Sequence, residues 1–91
     1  LEAAGKVSES LAAYAESAKL NPANAETYCR RGHLLLEEMR TAEALAEFEK
    51  AIAAAPGLAN GYFGRAHVRY VTEQFLEAQF DYSICLRLDA Q

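Results

Sequence analysis

Two histidines, His33 and His67, stand thirty-four residues apart, and Cys29 lies four residues before the first. Imidazole and thiolate are the side chains that bind soft or borderline metals, or act as base and nucleophile near neutral pH. Regular spacing puts each histidine on its own structural unit. Neighbouring helices lie roughly 8–10 Å apart, an awkward span for joint ligation, and no third ligand accompanies the pair. Cys29 and His33, one helical turn apart, offer a soft ligand pair; the simpler reading is that both line a groove. Cys85 stands where a small packed side chain is needed and reads as an inert buried thiol. The acidic runs Glu37-Glu38 and Glu47-Phe48-Glu49 read as solvated helix faces. A glycine-rich phosphate loop, a nucleophile elbow and a dinucleotide fingerprint are all absent. The sequence does not read as an enzyme, and no catalytic residue, metal site or cofactor is expected.

The composition narrows the remaining classes. The 91 residues carry 13 acidic and nine basic side chains, a net charge of −4, so no basic field exists to hold nucleic acid or an anionic membrane. Hydrophobic residues reach 52%, much of it alanine, without a run of the eighteen or so needed to span a bilayer. Two scattered cysteines make neither a disulfide framework nor a zinc site. The two cysteines and the lack of a leader favour the cytoplasm. The absence of an initiator methionine suggests a fragment of a longer protein.

Shifting the chain along itself by thirty-four residues brings it into register. Ala25 meets Ala59, Tyr28 meets Tyr62, Arg31 meets Arg65, His33 meets His67, and Glu43-Ala44 meets Glu77-Ala78. Sizes match between the identities: Gly32 with Ala66, Phe48 with Tyr82, Ala51 with Cys85, Ile52 with Leu86. Tyr14 falls opposite Phe48, and Pro22 opposite Pro56. One domain therefore holds the second half of a repeat, residues 1–24, and two further repeats at 25–58 and 59–91. Within a repeat the apolar spacing is helical: Tyr28, Leu35 and Met39 in one stretch, Ala44, Phe48, Ala51 and Ile52 in the next. Asn24 and Thr41 are predicted N-caps, and Pro22 and Pro56-Gly57 close the second helix of their units. Helices are predicted near 6–20, 25–38, 42–54, 59–71 and 75–89, with residues 1–4 as the stub of a sixth.

With Tyr28, Gly32, Leu35, Ala44, Phe48, Ala51 and Pro56 in one unit, the chain resembles the tetratricopeptide repeat family. The next unit fits more loosely through Tyr62, Ala66, Ala78, Tyr82 and Cys85. The half repeat adds Gly5, Ser10, Tyr14, Ser17 and Leu20-Asn21-Pro22. The resemblance implies an all-α, right-handed superhelix of stacked antiparallel helix pairs. Small residues let the backbones approach, and aromatic rings fill the gaps beside them. Arg31 and Arg65 occupy a slot where the family has leucine, and Glu47 and Asp81 each follow sixteen residues later. Arginine–carboxylate pairs between the helices of a unit are expected, with an arginine snorkelling to solvent as the alternative. Arg69 replaces an aromatic and is expected to reach Glu73 or Glu77.

The resemblance also implies a non-catalytic protein–protein interaction module. A peptide or helix of a partner would lie in a concave groove on Glu26, Cys29, Arg30, His33, Leu36, Glu37, Asn60, Phe63, His67 and Tyr70, with Gly64 and Val71 on the same face. Co-chaperone members clamp a terminal carboxylate with lysines and asparagines. The matching slots here hold Cys29, His33, Phe63, Gly64 and His67, with only Arg30 suitable, so that clamp is broken. The alternative is a homo-oligomerising scaffold. Phe75, Leu76, Phe80, Ile84 and Leu88 on the last helix have no following helix to cover them all, and the first helix likewise lacks its partner.

Overall fold

The computed structural model describes residues 2–89. It holds five helices: α1 (Glu2–Leu20), α2 (Ala25–Glu37), α3 (Thr41–Ala54), α4 (Ala59–Val71) and α5 (Phe75–Asp89). The described residues contain no strand. α2 packs on α3 and α4 on α5; α4 also lies against α3 and α2, and α1 against α2.

Short-range chemistry sets most helix ends. The Asn24 side chain accepts a hydrogen bond from the Glu26 amide at 3.1 Å, capping α2 as expected. The expected stub at residues 1–4 is not a separate helix, because Glu2–Ala4 form the first turn of α1; Leu1 lies outside the described residues. Gly5 costs a helix only about 1 kcal/mol, too little to break a run of good helix formers. Thr41 is the first residue of α3 rather than its cap. Arg40 takes the cap position without a side-chain capping bond. Its guanidinium instead forks onto Glu43 at 2.9 and 2.8 Å.

The turns within the two pairs are built alike. Met39 and Glu73, thirty-four residues apart, both adopt left-handed backbone, with φ of 60° and 65°. The next amide closes each turn: Arg40 N donates to Leu35 O at 2.9 Å, and Gln74 N to Arg69 O at 2.7 Å. Met39, which continues the apolar spacing of α2 just past its predicted end at residue 38, sits in this turn and is 72% exposed.

Phe48 is the centre of the core and is fully buried. A Cβ at Gly32 would lie 2.8 Å from its ring, and one at Gly64 2.1 Å. Glycine is thus required on both helices that meet α3. Leu35, Ala44, Ala51 and Val68 complete the cluster, with Leu11 and Val7 joining from α1. Tyr28 is half-buried and donates its hydroxyl to the Pro22 carbonyl at 2.9 Å, tying α2 to the preceding turn. Tyr62, also half-buried, lies under the Arg65 guanidinium at 5.7 Å. Ala66 and Ala78 are buried where α4 meets α5, and Pro56 is exposed after α3.

Both expected ion pairs form. Arg65 grips Asp81 with two bonds, 3.0 and 2.9 Å, and the carboxylate is fully buried. Asp81, through this fork, holds the Arg65 pKa above its usual value. Arg31 meets Glu47 at 3.0 Å, and Lys50 shares the same oxygen at 3.1 Å. The Arg31 Nε atom is buried without a hydrogen-bond partner. Arg69 departs from expectation: it donates to Asp81 at 2.9 Å rather than reaching Glu73 or Glu77. A carboxylate withdrawn from water has acceptor sites to fill, whereas an exposed pair along a helix yields only about 0.2–0.5 kcal/mol.

Two outcomes are expected in urea unfolding. Gly64→Ala lowers stability by about 1–2 kcal/mol, since overpacking outweighs the gain in helix propensity, while Gly5→Ala, in open space, raises it by roughly 0.5 kcal/mol. Asp81→Ala costs about 3–5 kcal/mol by leaving two arginines around an empty site. Double-mutant cycles give a larger coupling for Arg65–Asp81 than for Arg31–Glu47; equal couplings would show that the second hydrogen bond adds nothing.

Candidate partner-binding surface

α2 and α4 run side by side, and His33 and His67 come to one depression of about 370 Å³ between them. Leu36, Glu37, Met39 and Val71 complete its lining. Most of the exposed lining is apolar. His33 stands half-buried with its ring edge-on to Phe48, at 4.9 Å between centroids and 70° between planes. The same ring that demands Gly64 therefore also props His33. Burial pushes the His33 pKa below 6.5; nearby His67 pushes it further down, and Glu37 acts weakly the other way. A neutral imidazole can donate at one nitrogen and accept at the other.

The other expected groove residues scatter. Glu26 and Arg30 are exposed one turn apart and pair with each other at 3.3 Å. Glu26, and then Tyr14 of α1, holds the Arg30 pKa above its usual value. Asn60 is exposed in the first turn of α4, outside the depression. Cys29 must be corrected: it is only 5% exposed and belongs to the core, because α2 turns that side inward. Burial, and secondarily Glu26, raises its thiol pKa, so it is a poor thiolate ligand beside His33. Leu36 is also buried, yet one edge reaches the depression. Phe63 and Tyr70 lean toward α5, pairing edge-on with Tyr82 and Phe75 at 6.0 and 5.5 Å.

Met39 was missing from the expected set. The signal for it in the sequence was an apolar side chain standing between two predicted helices, after residue 38 and before residue 42. Cys85 is buried as expected, and its thiol lies 3.5 Å from the Ala59 carbonyl. Among the described residues, no group of three or more His, Cys, Asp or Glu is placed to hold a metal ion. No helix among them is long and apolar enough to cross a membrane.

A second opening of about 420 Å³ lies between the ends of α4 and α5, lined by Tyr70, Phe75, Gln79, Tyr82, Ser83 and Leu86, with Ala78 at its floor. Of the residues expected to be uncovered on α5, Phe75, Leu76 and Phe80 are exposed, while Ile84 and Leu88 are half-buried.

Solved structures share this arrangement. The second TPR domain of Spaghetti (RPAP3), solved with the HSP90 peptide SRMEEVD, matches at a TM-score of 0.84 and 23% identity, over 92% of this chain and 78% of that one. The Arabidopsis OM64 TPR domain matches at 0.85 and 28% identity, over 99% of this chain and 74% of that one. MamA MSR-1 C2 matches at 0.84 and 22% identity, over 93% of this chain and 49% of that one. No family profile and no curated protein matches the sequence. Stacked antiparallel helix pairs in a thirty-four-residue register define the class of helical-repeat proteins. Within that class, the chain has the fold of the tetratricopeptide repeat domains it is similar to.

The depressed pKa of His33 makes a prediction about acidification. An imidazole that holds its proton less well folded than unfolded contributes stability above about pH 6.5, and that contribution is lost as pH falls through the folded pKa. The melting temperature is expected to fall between pH 7 and 5, with a shallower slope in His33→Gln. An NMR titration placing the His33 midpoint at or above 6.5 would refute this.

Proposed function

We propose that the protein is a non-catalytic interaction module that binds a segment of a partner protein across α2 and α4. One apolar side chain of the partner sits between Leu36, Met39 and Val71, while His33 and His67 meet the polar groups beside it. The observation that carries this reading is the open apolar depression itself, bordered by two imidazoles and one carboxylate. Sealing an aliphatic side chain there is worth about 1.5–3 kcal/mol, enough to anchor a peptide whose backbone is held by hydrogen bonds.

The bound peptide in the RPAP3 structure supports a protein partner of this kind. The chemistry here favours a different ligand from an acidic tail. Glu37 borders the depression, and Arg30, the cation nearest a clamp, is paired with Glu26. Cys29 and Gly64 are buried, so neither slot presents a donor. The segment that fits is apolar at its anchor and neutral or basic beside Glu37. Met39 supports the reading further, since an exposed methionine is an adaptable contact for apolar ligands.

A peptide array carrying varied apolar anchors tests this. Peptides retained by the wild type are expected to bind Val71→Glu and His67→Ala at least tenfold more weakly, and Leu86→Glu unchanged. Retention of the same peptides by all three variants, or no retention by the folded wild type, would refute the site.

A further inference from the structure

The depression between α2 and α4 lies where two helices end. Leu36 and Glu37 stand in the last turn of α2, and Val71 is the last residue of α4. Each helix end carries partial negative charge from its aligned peptide dipoles. Three helices answer that charge with a cation: Lys19, Arg69 and Arg87 stand in the last turns of α1, α4 and α5. α2 does the opposite. It has no basic residue in its last turn, ends on Glu37 and is capped by Glu38. Two carboxylates at the negative end of a helix oppose its dipole, so this arrangement works against stability.

The cations along these helices are committed elsewhere. Arg30 pairs with Glu26, Arg40 forks onto Glu43, and Arg69 turns to the buried Asp81. Glu37 is exposed and has no ion-pair partner among the described residues. No cation lines the depression either. What remains of the lining is an apolar wall of Leu36, Met39 and Val71 and the two imidazoles. Burial, and then His67, makes His33 hold its proton loosely, so at neutral pH that ring is uncharged and keeps an acceptor nitrogen.

These groups select among cations. The ammonium of a lysine is a compact, strongly hydrated charge, and laying its stem here would strip that hydration for one carboxylate. A guanidinium is planar, more weakly hydrated, and presents five donors in a fork. It can pair both oxygens of Glu37 and still have donors for the acceptor nitrogen of His33, while its methylenes cover the apolar wall. His33 and Glu37 stand four apart on α2, so both serve the same side of the helix. At about 370 Å³ the depression is in the range that takes whole small ligands, more than one aliphatic side chain requires.

We propose that the partner segment held across α2 and α4 carries an arginine whose guanidinium pairs with Glu37, its stem lying against Met39 and Val71 beside the aliphatic anchor. That arginine presupposes the docking site proposed above and adds the charge the segment must bring. The net charge of −4 favours the approach of such a basic segment.

The probes are acetylated, amidated heptapeptides with leucine at the centre, alanine and serine elsewhere, and one arginine moved through the remaining positions. Each is titrated into the ¹⁵N-labelled protein beside its citrulline twin, which keeps the stem and loses the charge. At the best position the arginine peptide is expected to bind about fivefold more tightly than the citrulline one, with lysine between them. The amide signals of Glu37, Met39 and Val71 should move. Circular dichroism of Glu37→Gln should match the wild type, because Glu37 is exposed and unpaired, and this variant should bind the arginine and citrulline peptides equally. Glu38→Gln, next to it but outside the lining, should keep most of the preference. Citrulline binding the wild type as tightly as arginine would overturn the proposal and leave the docking site standing. A preference that survives Glu37→Gln would overturn the pairing with Glu37. Failure of every peptide, the uncharged ones included, to shift the depression would remove the docking site and the arginine with it.

Discussion

Phe48 is the contact through which three helices find their positions. Its ring projects from α3, is closed off from solvent, and is touched by α2 at Gly32 and by α4 at Gly64. Any other residue at those points must displace either the ring or a backbone. Because the ring is pinned on both sides, the separation and register of α2 and α4 are set by a van der Waals radius. His33 rests edge-on against it, so the geometry of the surface depression depends on the same contact. The core and the candidate binding surface are thus two sides of one packing solution.

Electrostatics lock the second dimension of each helix pair. Glu47 and Asp81 are carboxylates in buried positions, a placement that costs several kcal/mol unless partners satisfy their oxygens. Asp81 is the better served, with a bidentate arginine and a second arginine on one side chain. Glu47 shares one oxygen between Arg31 and an exposed lysine. The pair carrying the tighter clamp, α4–α5, also borders the open cleft. Each helix pair thus combines buried apolar residues with an arginine–carboxylate clamp.

The two openings differ in what they ask of a ligand. The one between α2 and α4 is bordered by two imidazoles and the Glu37 carboxylate beside apolar Leu36, Met39 and Val71. The one between α4 and α5 has no charged side chain in its lining and is walled by Tyr70, Phe75 and Tyr82.

The repeat register, the helix pairs and the packed small residues were legible in the amino-acid sequence, because each follows from short-range periodicity and side-chain volume. The arginine–carboxylate pairs were legible too, since both partners recur at a fixed separation. Other features depend on how faces turn in three dimensions. Cys29 shares a helix face with His33 by spacing, yet the rotation of α2 buries the thiol and leaves the imidazole half open. Arg69 has two nearby carboxylates along its own chain and chooses the third, Asp81, because burial makes that acceptor the neediest. Met39 continues the apolar spacing of α2 in one dimension, yet its backbone is left-handed and its side chain stands exposed in the turn that follows. Periodicity specifies which residues lie on one side of a helix; which way that side faces is decided by the neighbouring helices, through contacts no single segment contains.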